Sequence, residues 1–184
     1  KYELEIADQL NNFFENSDPP KNYKAEVTGK YTTEPDIVVK PTDTDDESQF
    51  VRIETKTKLG SDFGQFTVFW NEKDNKFDMS KEKKQDPVFQ RVFDNYIDKL
   101  DFPDGQPSRD KSMDIARVPV DNIGTLIGDY YRNKNVQYAI VNDMIYSLDN
   151  KELDNNIKAG DVRFRVKNHG KHFSYMVSLK RTVL

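Results

Sequence analysis

The spacing of hydrophobic residues predicts that the chain begins with an amphipathic helix. Between residues 2 and 14, apolar side chains recur at helical spacing and form one face, made of Ile6, Ala7, Leu10, Phe13 and Phe14. Residues 17–20, which end in two prolines, are expected to stop this helix because proline cannot continue it.

Alternation of apolar and polar residues then predicts a series of strands. The pattern covers residues 23–28, 36–39, 50–58 and 65–70. The acidic run 43–47 is expected to form a hairpin loop between the second and third strands. The glycine-containing run 60–64 is predicted to be a turn, and the charged run 71–84 is predicted to be a polar loop.

The second half of the chain shows two helical patterns and two hairpin patterns. Asp86 and Pro87 are typical of a helix start, and an apolar face follows as far as Leu100. Residues 102–118 are rich in turn formers, and a second helix is predicted over residues 122–131. Strands 136–141 and 144–148 should form one hairpin, and a last hairpin should turn at residues 168–170.

Composition is consistent with one compact domain. The chain has 184 residues, of which 35% are hydrophobic and 12% aromatic, enough to bury a sizeable core. The sequence contains no cysteine, which excludes disulfides, thiolate zinc sites and cysteine nucleophiles. Because no apolar run approaches the roughly 18 residues that span a bilayer, we expect no membrane partner and a cytoplasmic location.

Candidate chemistry is concentrated in two short motifs, Pro35-Asp36 and Glu54-Thr55-Lys56. Side chains alternate across a strand, so Glu54 and Lys56 should share one face. If the strand that follows Asp36 pairs beside them, two carboxylates and an ammonium group converge. Such a pair of carboxylates suits Mg²⁺, which prefers oxygen ligands. The alternative is that Asp36 caps a strand while Glu54 and Lys56 lie on a solvated face.

These motifs resemble those of the PD-(D/E)xK nuclease superfamily, which has the restriction-endonuclease-like fold. The resemblance implies an α/β fold with a mixed β-sheet flanked by α-helices, formed by a single domain over residues 1–184. Residues 1–70 would be the core that carries the motifs. Residues 71–184 would supply the remaining core helices and strands, together with hairpins that contact DNA.

The resemblance also implies roles for individual residues. Asp36, Glu54 and the backbone carbonyl of Thr55 would hold Mg²⁺, with Mn²⁺ as a substitute. Lys56 would orient the attacking water, deprotonate it or stabilise the developing charge. Glu3 lies on the apolar face of the first helix and would be a further metal ligand; the alternative is a helix end with Glu3 in solvent.

Candidate DNA contacts come from polar side chains near these motifs and from a basic strand close to the end of the chain. Lys58 and Gln65 follow the second motif. Arg163, Arg165 and Lys167 alternate with apolar residues, so one strand could bury an apolar face and present a basic one. The formal net charge of −4 argues mildly against a nucleic-acid partner. A solvated sheet face that contacts no ligand is the alternative.

The function expected from the sequence is therefore Mg²⁺-dependent hydrolysis of DNA, most plausibly by a type II restriction endonuclease. Its partner would be double-stranded DNA, and cleavage of both strands would require a homodimer, for which the aromatic helices could supply the interface. A repair nuclease, a junction resolvase or a nuclease toxin would have the same chemistry. The rival class is a non-catalytic protein-binding or immunity-type module.

Overall fold

The computed structural model describes residues 1–29, 34–57, 62–79 and 86–182. Two compact units are formed by these residues. The first comprises Lys1–Leu59 and Tyr131–Leu153, and the second comprises Gly60–Tyr130 and Asp154–Leu184. Lys58, a candidate DNA contact, lies outside the described residues.

The helices and strands follow the predicted order, with additions. In chain order they are α1 (Tyr2–Asn16), β1 (Tyr23–Val27), β2 (Ile37–Pro41), a 3₁₀ turn (Glu47–Gln49), β3 (Val51–Lys56), β4 (Asp62–Asn71), β5 (Lys76–Met79), α2 (Pro87–Val92) with a π-helical continuation (Phe93–Ile97), β6 (Met113–Pro119), α3 (Ile123–Asn133), β7 (Tyr138–Val141), β8 (Met144–Ser147), α4 (Glu152–Asn156), β9 (Gly160–Asn168) and β10 (Phe173–Arg181). Among the described residues, no helix is both long and apolar enough to cross a membrane.

The first unit contains a mixed five-stranded sheet in the order β1-β2-β3-β7-β8. Strands β3 and β7 are parallel, and every other neighbouring pair is antiparallel. The β7–β8 hairpin turns at Asn142 and Asp143, whose φ angles of 51° and 67° suit a two-residue turn between twisted strands. The predicted hairpins β2–β3 and β7–β8 are both confirmed.

Helix α1 packs on one face of this sheet. Its buried Ile6 and Ala7 belong to a cluster with Ile37, Ile53 and Ile140. Because side chains alternate along a strand, the neighbours of Ile53 in β3 point to the opposite face. The prediction that Phe13 belongs to the buried face is wrong, since its side chain is 63% exposed. The next residue, Phe14, occupies the position beside the ring of Tyr23 in β1.

The second unit contains an antiparallel five-stranded sheet in the order β5-β4-β10-β9-β6. Three of its strand assignments correct the sequence analysis. Strand β5 lies within the predicted loop 71–84, β6 overlaps the turn-rich run 102–118 and ends one residue beyond it, and β4 begins inside the predicted turn 60–64. The charged run did not indicate β5 because only one residue of the strand is buried: Phe77 packs against the rings of Phe164 and Tyr175.

The predicted aromatic helix starts where expected. Asp86 is the N-cap, and its Oδ1 accepts a hydrogen bond of 2.8 Å from the Val88 amide. The apolar face of this helix is buried within the second unit, where Phe89 contacts Phe66 and Tyr130. The buried residues of this face therefore pack within the unit, and the homodimer stays a prediction.

Candidate active site

The pairing of β2 with β3 brings the two sequence motifs together. Ile37 lies opposite Ile53, and Val38 lies opposite Arg52. Continuing this antiparallel register by one residue places Asp36 opposite Glu54, where cross-strand side chains are neighbours. Both side chains lie on the face opposite α1, because they alternate with Ile37 and Ile53. The predicted convergence of the two carboxylates is thus a property of the fold.

Asp36 occupies the position where β2 stops pairing with β3. Its Oδ2 accepts hydrogen bonds from the amide nitrogen of Thr55, at 2.8 Å, and from the hydroxyl of Thr55, at 3.2 Å. In an extended strand the amide and carbonyl of one residue point to the same side. The Thr55 carbonyl is therefore directed toward the side of β3 that Asp36 occupies, beyond the last pair of the β2–β3 ladder.

Glu54 is buried beside a second negative charge. Its side chain is only 8% exposed, and its Oε1 accepts a 2.8 Å hydrogen bond from Nζ of Lys134, which is 13% exposed. Burial and the neighbouring charge of Asp36 raise the pKa of Glu54 to about 7, although Lys134 acts in the opposite direction. The site therefore holds two carboxylates whose mutual repulsion calls for a cation.

Sequence reasoning missed Lys134, which follows α3 in the polar run Asn133-Lys134-Asn135. The backbone folds back after the helix at Asn135, whose φ is 60°, and the amides of Asn135 and Val136 bond to carbonyls of the last helical turn. Asparagine next to a helix end is a signal for such a turn. Nothing in the local sequence shows that the lysine before it reaches a strand 80 residues earlier.

The other predicted site residues of the first unit have different surroundings. Lys56 lies on the same face of β3 as Glu54 and is half-buried. Oε2 of Glu3 lies 2.8 Å from the N-terminal ammonium group. That hydrogen bond lowers the pKa of Glu3, and the charge of Lys56 contributes less. Within residues 1–29 and 34–57, Glu3 makes no hydrogen bond or ion pair with Asp36 or Glu54.

The donor set of this site can be compared with the needs of a divalent cation. Within the described ranges, no group of three or more Asp, Glu, His or Cys side chains is placed to hold a metal ion. Mg²⁺ does not require one, since it keeps several waters and commonly takes only one or two carboxylates. Asp36, Glu54 and the Thr55 carbonyl are hard oxygen donors, so the residues present fit a Mg²⁺ ion.

Comparison with solved structures identifies the architecture. The structure is similar to that of HhaI endonuclease in complex with DNA, with a TM-score of 0.52 over 98% of this chain and 85% of that chain. The chain has a restriction-endonuclease-like fold. Sequence identity in this alignment is 16%, so the likeness concerns the fold alone. Comparison of the sequence with models of known protein families and with curated proteins finds no match.

Within this restriction-endonuclease-like fold, the predicted DNA contacts of the second half share one face of the second sheet. Arg163, Arg165 and Lys167 alternate along β9 with buried Val162, Phe164 and Val166, as the sequence analysis predicted. Arg163 lies opposite Ser178 of β10, and Ser178 lies opposite Gln65 of β4. Gln65 therefore shares the polar face with the basic row, although it comes about a hundred residues earlier in the chain.

Acidic residues from β4 and β6 of the same sheet neutralise part of this basic row. Nε of Arg163 lies 2.9 Å from Asp114, and the guanidinium groups of Arg163 and Arg165 each lie 3.8 Å from Asp62. Partial burial alone would raise the pKa of Asp114, but hydrogen bonds from Arg117 and Arg163 lower it. The face is thus one of mixed charge, not the purely basic surface expected from the sequence of β9.

Several polar atoms on the same face have incomplete hydrogen bonding. Within the part of the chain that the structure describes, the Ser178 hydroxyl, Nε of Arg165 and Oδ1 of Asp62 are buried and have no protein partner. Buried polar groups normally find a partner in protein, water or ligand. These atoms lie on the polar face but are buried, so a ligand would reach them only if the surrounding side chains moved.

Proposed function

We propose that this protein is a Mg²⁺-dependent DNA endonuclease of the type II restriction class. The observation that carries the proposal is the placement of Asp36 opposite Glu54, beyond the β2–β3 ladder and with Lys56 on the same face. The restriction-endonuclease-like fold supports it, because the similar HhaI endonuclease was solved in complex with DNA. A cytoplasmic location belongs to the same proposal.

The proposed roles follow from the contacts of each residue. Asp36, Glu54 and the carbonyl of Thr55 would hold the metal ion; a bound Mg²⁺ would activate a water and stabilise the charge that develops on the phosphate. The Thr55 amide and hydroxyl orient Asp36. We assign Lys56 to orienting the water and to electrostatic stabilisation, because it lies on the same face of β3 as Glu54. Glu3 is a further ligand only if it leaves its present partner.

Double-stranded DNA is the proposed partner, and the polar face of the second sheet is the proposed contact surface. Arg163, Arg165 and Lys167 offer charge for phosphates, and Gln65 offers a neutral donor and acceptor. Cleavage of both strands would require a homodimer. The same chemistry would also serve a repair nuclease, a resolvase or a toxin nuclease.

One observation favours a second candidate, a non-catalytic protein-binding module. The ion pair between Lys134 and Glu54 already compensates one carboxylate with a cation from the protein itself. In a binding module this pair would be permanent and structural, and divalent cations would have no effect on the protein.

Cleavage of supercoiled plasmid in Mg²⁺ and in EDTA distinguishes the two candidates. The nuclease proposal predicts nicking or linearisation in Mg²⁺ or Mn²⁺ only, and loss of at least about a hundredfold in rate for Lys56→Ala. Discrete fragments would support a restriction enzyme, and a smear would support a non-specific nuclease. Absence of cleavage of plasmid, branched DNA and RNA in both metals would favour the binding module.

A further inference from the structure

Lys134 contacts the proposed metal ligand Glu54 but has no role yet in the proposed mechanism. Its side chain is 13% exposed, and its ammonium group bonds directly to Glu54, whose side chain is 8% exposed. Lysine side chains seldom become this buried unless they are paired. Removing two charges from water is costly, and the direct contact between Lys134 and Glu54 offsets part of that cost.

The backbone holds Lys134 in place from both sides. On the helix side, its own amide bonds to the carbonyl of Tyr131 at 3.1 Å. On the strand side, the amide of Gln137 bonds to the carbonyl of Arg52, and the side chain of Gln137 accepts a 2.7 Å hydrogen bond from the Arg52 amide. These bonds set the register in which Ala139 lies opposite Glu54. The contact between Lys134 and Glu54 is therefore built into the β3–β7 junction.

The charge arrangement indicates what this contact does. Asp36 and Glu54 are neighbours of the same sign, and Lys134 supplies one positive charge at an oxygen that a metal ion would also use. We propose that Lys134 is a resident counter-ion that competes with the divalent cation for Glu54, and so sets the metal affinity of the site. This inference rests on the proposed metal site. It makes Lys134 a positioning residue, which acts through Glu54.

Competition of this kind has a definite signature. A ligand that binds only the fraction of protein in which Glu54 is released shows an affinity reduced by that fraction. Replacing Lys134 by the uncharged methionine of similar length should therefore tighten metal binding. In the absence of metal, the same variant leaves Glu54 without its ion-pair partner and should be less stable than the wild type.

The test is calorimetric titration of Mn²⁺ into the wild type and into Lys134→Met under identical buffer and pH. We expect the variant to bind Mn²⁺ about tenfold more tightly, which corresponds to roughly 1.4 kcal/mol. Its melting temperature should fall in EDTA and rise more than that of the wild type when Mn²⁺ is added. Lys24→Met is the matched control, because Lys24 is exposed on β1 of the same sheet, and it should change neither quantity.

Plasmid cleavage measured in parallel separates this inference from the nuclease proposal. Tighter Mn²⁺ binding by Lys134→Met without cleavage by the wild type would support the counter-ion and contradict the nuclease. Cleavage by a wild type whose Mn²⁺ affinity is unchanged or weakened in Lys134→Met would overturn the counter-ion and leave the nuclease intact. Failure of both proteins to bind Mn²⁺ would overturn the counter-ion together with the metal site.

Discussion

Glu54 is the residue whose environment departs furthest from that of an ordinary surface carboxylate. It is buried, it faces Asp36, and a single lysine compensates it. Each of these features follows from its place in the middle strands of the first sheet, between β2 and β7. A buried carboxylate with a raised pKa is common at functional sites, because such a group readily binds a proton or a cation.

The raised pKa predicts how stability depends on pH in EDTA. The pKa of Glu54 rises from 4.5 to about 7 on folding, so the folded state holds the proton more tightly than the unfolded chain does. This contribution is fully present below about pH 4.5 and is lost as the pH rises through about 7. Its size is at most about 3 kcal/mol.

Urea unfolding at a series of pH values measures this effect. The difference in free energy of unfolding between the wild type and Glu54→Gln should change in favour of the variant between about pH 4.5 and 7. Parallel curves for the two proteins would show that Glu54 has an ordinary pKa in the folded state.

At the scale of single elements, helix α3 carries two glycines one turn apart that are poor helix formers but are required by packing. A Cβ at Gly124 would fall on the carbonyl oxygen of Asp154 and 2.6 Å from that of Ile157. A Cβ at Gly128 would meet the carboxylate of Asp154 instead. The first obstacle is backbone, whereas the second is the movable end of a side chain.

These two obstacles predict different effects of the two glycine-to-alanine substitutions on the free energy of unfolding. Gly124→Ala should lower the free energy of unfolding by about 2 kcal/mol, because overpacking against backbone exceeds the helical preference of alanine. Gly128→Ala should be within about 1 kcal/mol of the wild type, since the obstacle there is a side chain and not the backbone. Urea denaturation provides the comparison. A stabilised Gly124→Ala protein would mean that α3 and residues 154–157 do not pack as described.

The element scale also shows where sequence patterns sufficed. Helix α1, the β2–β3 and β7–β8 hairpins and the N-cap at Asp86 were predictable, because their signals lie within a few residues of one another. Strands β5 and β6 were not. In β5 the only buried residue is Phe77. Its contribution to stability depends on packing against rings from β9 and β10. The sequence pattern therefore predicted a polar loop, because the contact that makes β5 a strand exists only after folding.

For the whole molecule, the main question is how a chain of net charge −4 could bind DNA. A net negative charge does not favour a complex with DNA, so local clusters of positive charge would have to provide the affinity for DNA. The row Arg163, Arg165 and Lys167 is such a cluster, but Asp62 and Asp114 hold part of it. If DNA contacts this face, phosphates must replace the acidic partners.

This exchange predicts that removing an acidic side chain from the face strengthens its binding to DNA. Asp114→Asn should tighten binding of a mixed-sequence duplex in EDTA by about threefold to tenfold, and should increase the salt dependence by about one counter-ion. The control is Asp104→Asn, which makes the same charge change at an exposed position and should have a smaller effect. Fluorescence anisotropy of labelled duplex measures the DNA affinity of both variants and its salt dependence. Equal effects of the two variants would indicate that the face containing Arg163 does not contact DNA.

The sequence by itself determined the residues of the candidate site and the faces on which they lie. Asp36, Glu54 and Lys56 could be singled out because strand alternation is a property of the local backbone, and one short hairpin joins the two strands. It also determined the alternation of basic and buried residues along β9.

Only the tertiary structure decided which charges meet. Lys134 reaches Glu54 through the parallel pairing of β7 with β3, and Asp62 and Asp114 reach Arg163 and Arg165 through the order of strands in the second sheet. Burial of Glu54, and with it the raised pKa, likewise depends on elements distant in the chain. The physical reason is that Coulomb energy and desolvation depend on distance in space, whereas a sequence pattern reports only distance along the chain.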